Sequence, residues 1–85
     1  MQKLKEYISR MPYGVFRETI IKNVVSDKCF QKAFDKGPGS LTREEKNYFS
    51  NLIASNIRNE IKPPYSGEDM DGFMAVTIVR YLLHK

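Results

Sequence analysis

An all-α fold is predicted for this 85-residue chain by three features. Apolar side chains recur at three- and four-residue spacing in four segments, which is the period of a helix with one buried face. Breaks rich in Pro and Gly separate those segments. The one β-branched run, Val76-Thr77-Ile78-Val79, has no second run to pair with, and an isolated strand is not stable.

Leu4, Tyr7, Ile8 and Met11 form the first stripe, and Pro12 marks its boundary. Because Pro fits the first turn of a helix, a second helix is expected to start within residues 12–15 and to run to residue 36, with Phe16, Ile20, Val24, Cys29, Ala33 and Phe34 on one face. Ile21, Val25 and Phe30 widen that face, as contacts on two sides would require. Gly37-Pro38-Gly39 ends the helix, with Gly37 placed for a left-handed C′ conformation. Thr42-Arg43-Glu44-Glu45 fits a capping box and opens a third helix through Tyr48, Phe49, Leu52, Ile53, Ile57 and Ile61, expected to stop near residue 62 ahead of Pro63-Pro64. Ser66-Gly67-Glu68-Asp69 offers a cap for a last helix carrying Met70, Phe73, Met74, Ile78, Tyr81 and Leu82. The expectation is one domain, 1–85, with an antiparallel hairpin over about 13–62, a short N-terminal helix and a C-terminal helix over about 68–84.

Such a chain is short for a self-sufficient core, so an outside stabiliser is expected. One Cys and one His exclude an internal disulfide and disfavour a metal cage, which leaves a protein partner. Fourteen Lys/Arg stand against ten Asp/Glu, and the excess lies in residues 1–36, eight against four. Cations interleaved with Glu6, Glu18, Asp27 and Asp35 read as solvated helix faces, and no winged-helix, RNP or zinc-finger pattern accompanies them, so nucleic acid is not the expected partner. The apolar run over 73–83 is interrupted by Thr77 and Arg80 and is about half the length of a bilayer span. The first eleven residues lack the apolar core of a secretory signal; basic and amphipathic, they are similar to a mitochondrial presequence.

No catalytic constellation emerges, and no enzyme, cofactor or metal is expected. The stretch from Gly67 to Gly72 fails as a calcium loop, because the position that requires a bidentate Glu holds Ile78. Glu44 and Glu45 are explained as first-turn residues that complement the helix dipole, and His84 as a solvated C-terminal residue.

Cys29 reads first as a small apolar group on a packed helix face. Its surroundings add a second reading. The stretch Asp27-Lys28-Cys29-Phe30-Gln31-Lys32, then Ala33 four residues after Cys29, Gly39-Ser40-Leu41, Tyr48 and, four residues on, Leu52 resembles the small Tim family, the twin Cys-x-x-x-Cys proteins of the mitochondrial intermembrane space. The resemblance places Cys29, Ala33, Tyr48 and Leu52 at the four cysteine positions, three of them substituted. It implies that Cys29 faces Leu52 and Ala33 faces Tyr48, as a clamp of apolar side chains. Losing a disulfide costs about 2–5 kcal/mol and burying a Leu-sized side chain returns about 1.5–3 kcal/mol, so packing can replace much of such a clamp.

The family's members form six-membered rings of hairpins that shield hydrophobic membrane-protein precursors. By resemblance, the chain is expected to be a non-enzymatic, ring-forming subunit, hetero- or homo-oligomeric with similar hairpins. It would sit in the intermembrane space as a structural or assembly component of a larger mitochondrial inner-membrane-associated complex, for instance a respiratory one. A holdase chaperone is the alternative; Pro63-Pro64 and the missing cysteines speak against a freely circulating one. A basic helical nucleic-acid module ranks third. The face expected to receive the partner comprises Phe16, Ile20, Val24, Phe30, Phe73 and Ile78.

Overall fold

The computed structural model describes residues 4–83, all helix and connecting turns with no strand among them. Residue 84, and with it the expected solvated His84 and the last position of the C-terminal helix, lies outside the described residues. The elements are α1 (Leu4–Arg10), α2 (Tyr13–Phe16) continuing directly as a π-helix (Arg17–Val25), α3 (Lys28–Lys36), a 3-10 turn (Pro38–Ser40), α4 (Arg43–Asn56) and α5 (Gly67–Leu83). One cluster of buried side chains drawn from every α-helix and the π-helix fills a body of 31 × 29 × 18 Å.

The helix expected over residues 12–36 is broken. Uninterrupted, it would be roughly 37 Å long, longer than the molecule's greatest dimension of 31 Å. Two local causes act. From Arg17 the backbone winds as a π-helix, whose i→i+5 pattern brings Ile20 and Val25, five residues apart, to the buried side together with Val24. Asp27 then takes extended backbone angles (φ −72°, ψ 145°), and its Oδ1 accepts the Cys29 N–H at 2.8 Å, capping a new helix. Phe34, expected on the buried stripe, is 42% exposed.

Gly37 ends α3 at φ +94°, a region that favours glycine, but its ψ of 153° is extended rather than left-handed helical. The capping box forms as expected. The Glu45 N–H donates to Thr42 Oγ1 at 3.1 Å, and the Thr42 N–H donates to Glu45 Oε1 at 2.9 Å. Helix α4 stops at Asn56, six residues short of the expected end, because Arg58 and Asn59 turn into the left-handed region (φ 55° and 57°) and their N–H groups close on the Ser55 and Ala54 carbonyls. Ser66 caps α5 through the Asp69 N–H at 3.0 Å.

Helices α1 and α5, far apart in sequence, are tied at both ends and run in the same direction. The Leu4 N–H donates to Asp69 Oδ1 at 3.0 Å. At the other end, Arg80 Nη1 donates to the carbonyls of Ile8 (2.6 Å) and Met11 (2.8 Å), groups that the end of α1 would otherwise leave without a helical partner. The same guanidinium lies over the Phe16 ring, 4.5 Å from its centroid. Between these ties, the absence of a side chain at Gly72 admits α1: a Cβ there would meet Lys5 Cβ at 3.2 Å.

Three aromatic rings cross the centre. Phe49 of α4 lies 6.4 Å from Phe30 of α3 and 6.4 Å, edge to face, from Phe73 of α5. Thr77 is fully buried beside this core, and its Oγ1 has no hydrogen-bond partner among the described residues. Leaving a hydroxyl unsatisfied costs about 1–3 kcal/mol, so Thr77→Val, which keeps the shape, is expected to raise stability by about 1 kcal/mol. That corresponds to roughly 4–8 °C in Tm by thermal circular dichroism; a lower Tm would show that the hydroxyl has a hidden partner.

Candidate functional site

The six residues expected to form a partner-binding face do not present one. Phe16, Ile20, Val24, Phe30 and Phe73 are fully buried in the chain's own core, and Ile78 is half-buried against it. The reason is the break at Asp27 together with α5: once the first arm bends and α5 packs back over α1, the wide apolar stripe has intramolecular cover on both of its sides.

Of the four clamp positions, Cys29 and Ala33 are buried, Leu52 is half-buried against the core, and Tyr48 is 52% exposed. The Tyr48 hydroxyl donates to Asp27 Oδ2 at 2.7 Å, at the start of α3. Three links join α3 and its cap to α4: Asp27 with Tyr48, Phe30 with Phe49, and Lys32 with Glu45. The Cys29 thiol is pushed up from its ordinary pKa, first by burial and then by the Asp27 carboxylate, so it stays protonated and unreactive at neutral pH.

What α3 leaves outside is mostly polar, with the Phe34 ring the one large apolar group among it. Cys29, Phe30 and Ala33 face the core, while Lys28, Gln31, Asp35 and Lys36 are exposed and Lys32 is half-exposed. Lys28, Lys32 and Lys36 recur every four residues and therefore form one row along nine residues of helix. Lys32 is held by Glu45 at 2.9 Å, whereas Lys28 and Lys36 have no ion-pair partner among the described residues. Gln31 is braced, its Nε2 donating to the Val25 carbonyl at 2.7 Å across the turn before α3.

Glu45 fixes one edge of this surface. Its carboxyl is pulled from 4.5 down to about 2, first by the Thr42 backbone N–H and then by Lys32. Because the folded pKa is the lower one, the cap and the ion pair are fully present above about pH 4.5 and are lost as the pH falls toward about 2. At neutral pH the row is rigidly anchored at its middle.

The surface offers a helix with cations outward, and no nucleophile–base pair among its residues. Among the described residues no group of three or more His, Cys, Asp or Glu is placed to hold a metal, and no helix is long and apolar enough to cross a membrane. The lysine spacing is the same in one continuous helix to residue 36; what sequence alone leaves out is that α3 is set off as a separate helix, for which the signal is Ser26-Asp27, a cap-forming pair ahead of Lys28. Comparison with family models, with curated proteins and with solved structures finds no match to this chain.

Proposed function

We propose that the protein is a helix-turn-helix module that binds duplex nucleic acid through the outer side of α3, the reading ranked third on sequence alone. The single observation that carries it is the lysine row on a short helix that is set off by the Ser26–Asp27 turn and backed by its own core. In such modules two helices meet through a short turn, and the second lies in the major groove, about 12 Å wide, while cations reach the phosphates. An α-helix with its side chains is about 10–12 Å across, which that groove admits. Exposed Lys28 and Lys36 supply phosphate contacts, and the +4 net charge draws the chain to a polyanion.

Fluorescence anisotropy with a labelled random-sequence duplex tests this reading. Lys28→Gln/Lys36→Gln is expected to fold as the parent does, both side chains being exposed, and to weaken binding about equally on every sequence. Equal affinity of parent and variant would refute the assignment of α3.

One observation favours a second reading, the small Tim-like subunit of a mitochondrial assembly. Val79, Leu82 and Leu83 of α5 are 52–75% exposed and adjacent on the helix, an apolar strip that a permanent neighbour would cover. On this reading the α3–α4 pair is the family's hairpin and the docking surface moves from the buried stripe to α5. Native mass measurement separates the two: a stoichiometric ring or large complex supports the subunit, and a small species that shifts on adding duplex supports the nucleic-acid module.

A further inference from the structure

A second site lies outside both readings. A cleft of about 800 Å³ opens between α4 and the first turns of α5, within the size range of small-molecule sites. Its walls differ in character. Met70, Pro63, Pro64 and the Tyr65 ring give an apolar lining, with a thioether that adapts to irregular chains, while Phe49 and Met74 lie buried behind it in the core. Along the α4 wall stand Arg43 and Lys46, one helix turn apart and both exposed, and neither has an ion-pair partner among the described residues. Asp71 is the one acidic residue in the lining, so the cleft carries a net positive charge. Tyr65, whose hydroxyl donates to the Ile61 carbonyl at 2.6 Å, fixes the loop that closes the far side.

We propose that this cleft binds a small amphipathic carboxylate, with its alkyl chain on Met70, Pro63 and Pro64 and its head on Arg43 and Lys46. A purely apolar ligand would leave both cations unpaired, and a polar anion would leave the apolar wall unused. Only a molecule with both ends satisfies the two walls, since apolar burial supplies affinity and a charge-assisted pair fixes orientation.

Titration calorimetry of the full chain with decanoate, decanol and acetate, in the absence of nucleic acid, is the test. Decanoate is expected to bind saturably and to raise Tm, decanol to bind about tenfold or more weakly for want of the charged hydrogen bonds, and acetate not to bind measurably. Arg43→Gln/Lys46→Gln should reduce decanoate to the affinity of decanol. Ser50→Trp, which fills the cleft from the α4 wall and leaves both cations in place, should abolish binding of either. Absence of saturable decanoate binding, equal affinity for decanoate and decanol, or binding indifferent to both variants would overturn the site. Circular dichroism confirms that each variant is folded before it is scored.

Discussion

Phe49→Ala is expected to unfold most of the protein at 37 °C. Truncating a fully buried Phe costs about 3–5 kcal/mol, and this ring also holds the contacts at 6.4 Å to Phe30 and to Phe73, each worth about 0.5–1.5 kcal/mol beyond its area. Whole domains are stable by only about 5–15 kcal/mol, and one of this size belongs at the lower end. Phe49 is where α3, α4 and α5 meet, so no single helix can relax into the space without leaving another. Phe34→Ala provides the contrast. Phe34 is 42% exposed and stacks only on the edge of the cluster, 6.3 Å from Phe30, so its loss should cost well under half as much. Urea denaturation of both variants checks the pair; similar midpoints would mean that the aromatic chain is not the centre of the fold.

Arg80→Met is the second large effect, expected at about 3 kcal/mol. Each hydrogen bond to a charged group contributes about 1.5–3 kcal/mol, and the ring contact with Phe16 about 0.5–2 kcal/mol, partly offset by the apolar packing that Met retains. The loss should be local in its first consequence. Without the guanidinium the Met11 carbonyl loses its partner and the Ile8 carbonyl keeps only the long bond from the Met11 N–H at 3.4 Å, so amides of α1 should exchange with solvent before those of α4. Arg80→Lys keeps a charge near the carbonyls but cannot reproduce the planar group lying on Phe16, and should recover only part of the stability. Uniform exchange across all helices in Arg80→Met would show that the tie contributes to the whole fold rather than to α1.

The helical class, the Thr42–Glu45 box and the Ser66 cap were legible because each depends on a few neighbouring residues. The break at Asp27 was written locally too, but competed with a stronger pattern. Phe16, Ile20 and Val24 keep a four-residue period, and only the step of five from Val24 to Cys29 betrays that the stripe has lost phase. The end of α4 was misplaced for a similar reason. Pro63-Pro64 forbids a helix beyond, yet Asn59, a residue tolerant of left-handed angles, stops it earlier. What no local pattern contains is the meeting of Asp69 and Arg80 with the two ends of α1, between residues 65 or more apart. Without that contact the apolar stripe seemed to await a partner, although α5 was there to cover it. The lysine row was visible as spacing, but which side of α3 faces solvent is decided by Phe30 against Phe49 in the folded core.

The salt dependence of duplex binding tests the proposed role of α3 most directly. Each phosphate neutralised should contribute about −0.9 to the slope of log K against log salt. The parent is expected to give a steep negative slope, and Lys28→Gln/Lys36→Gln a slope shallower by about 2. A parent that does not bind duplex at low salt, or whose slope the double variant leaves unchanged, would contradict the assignment.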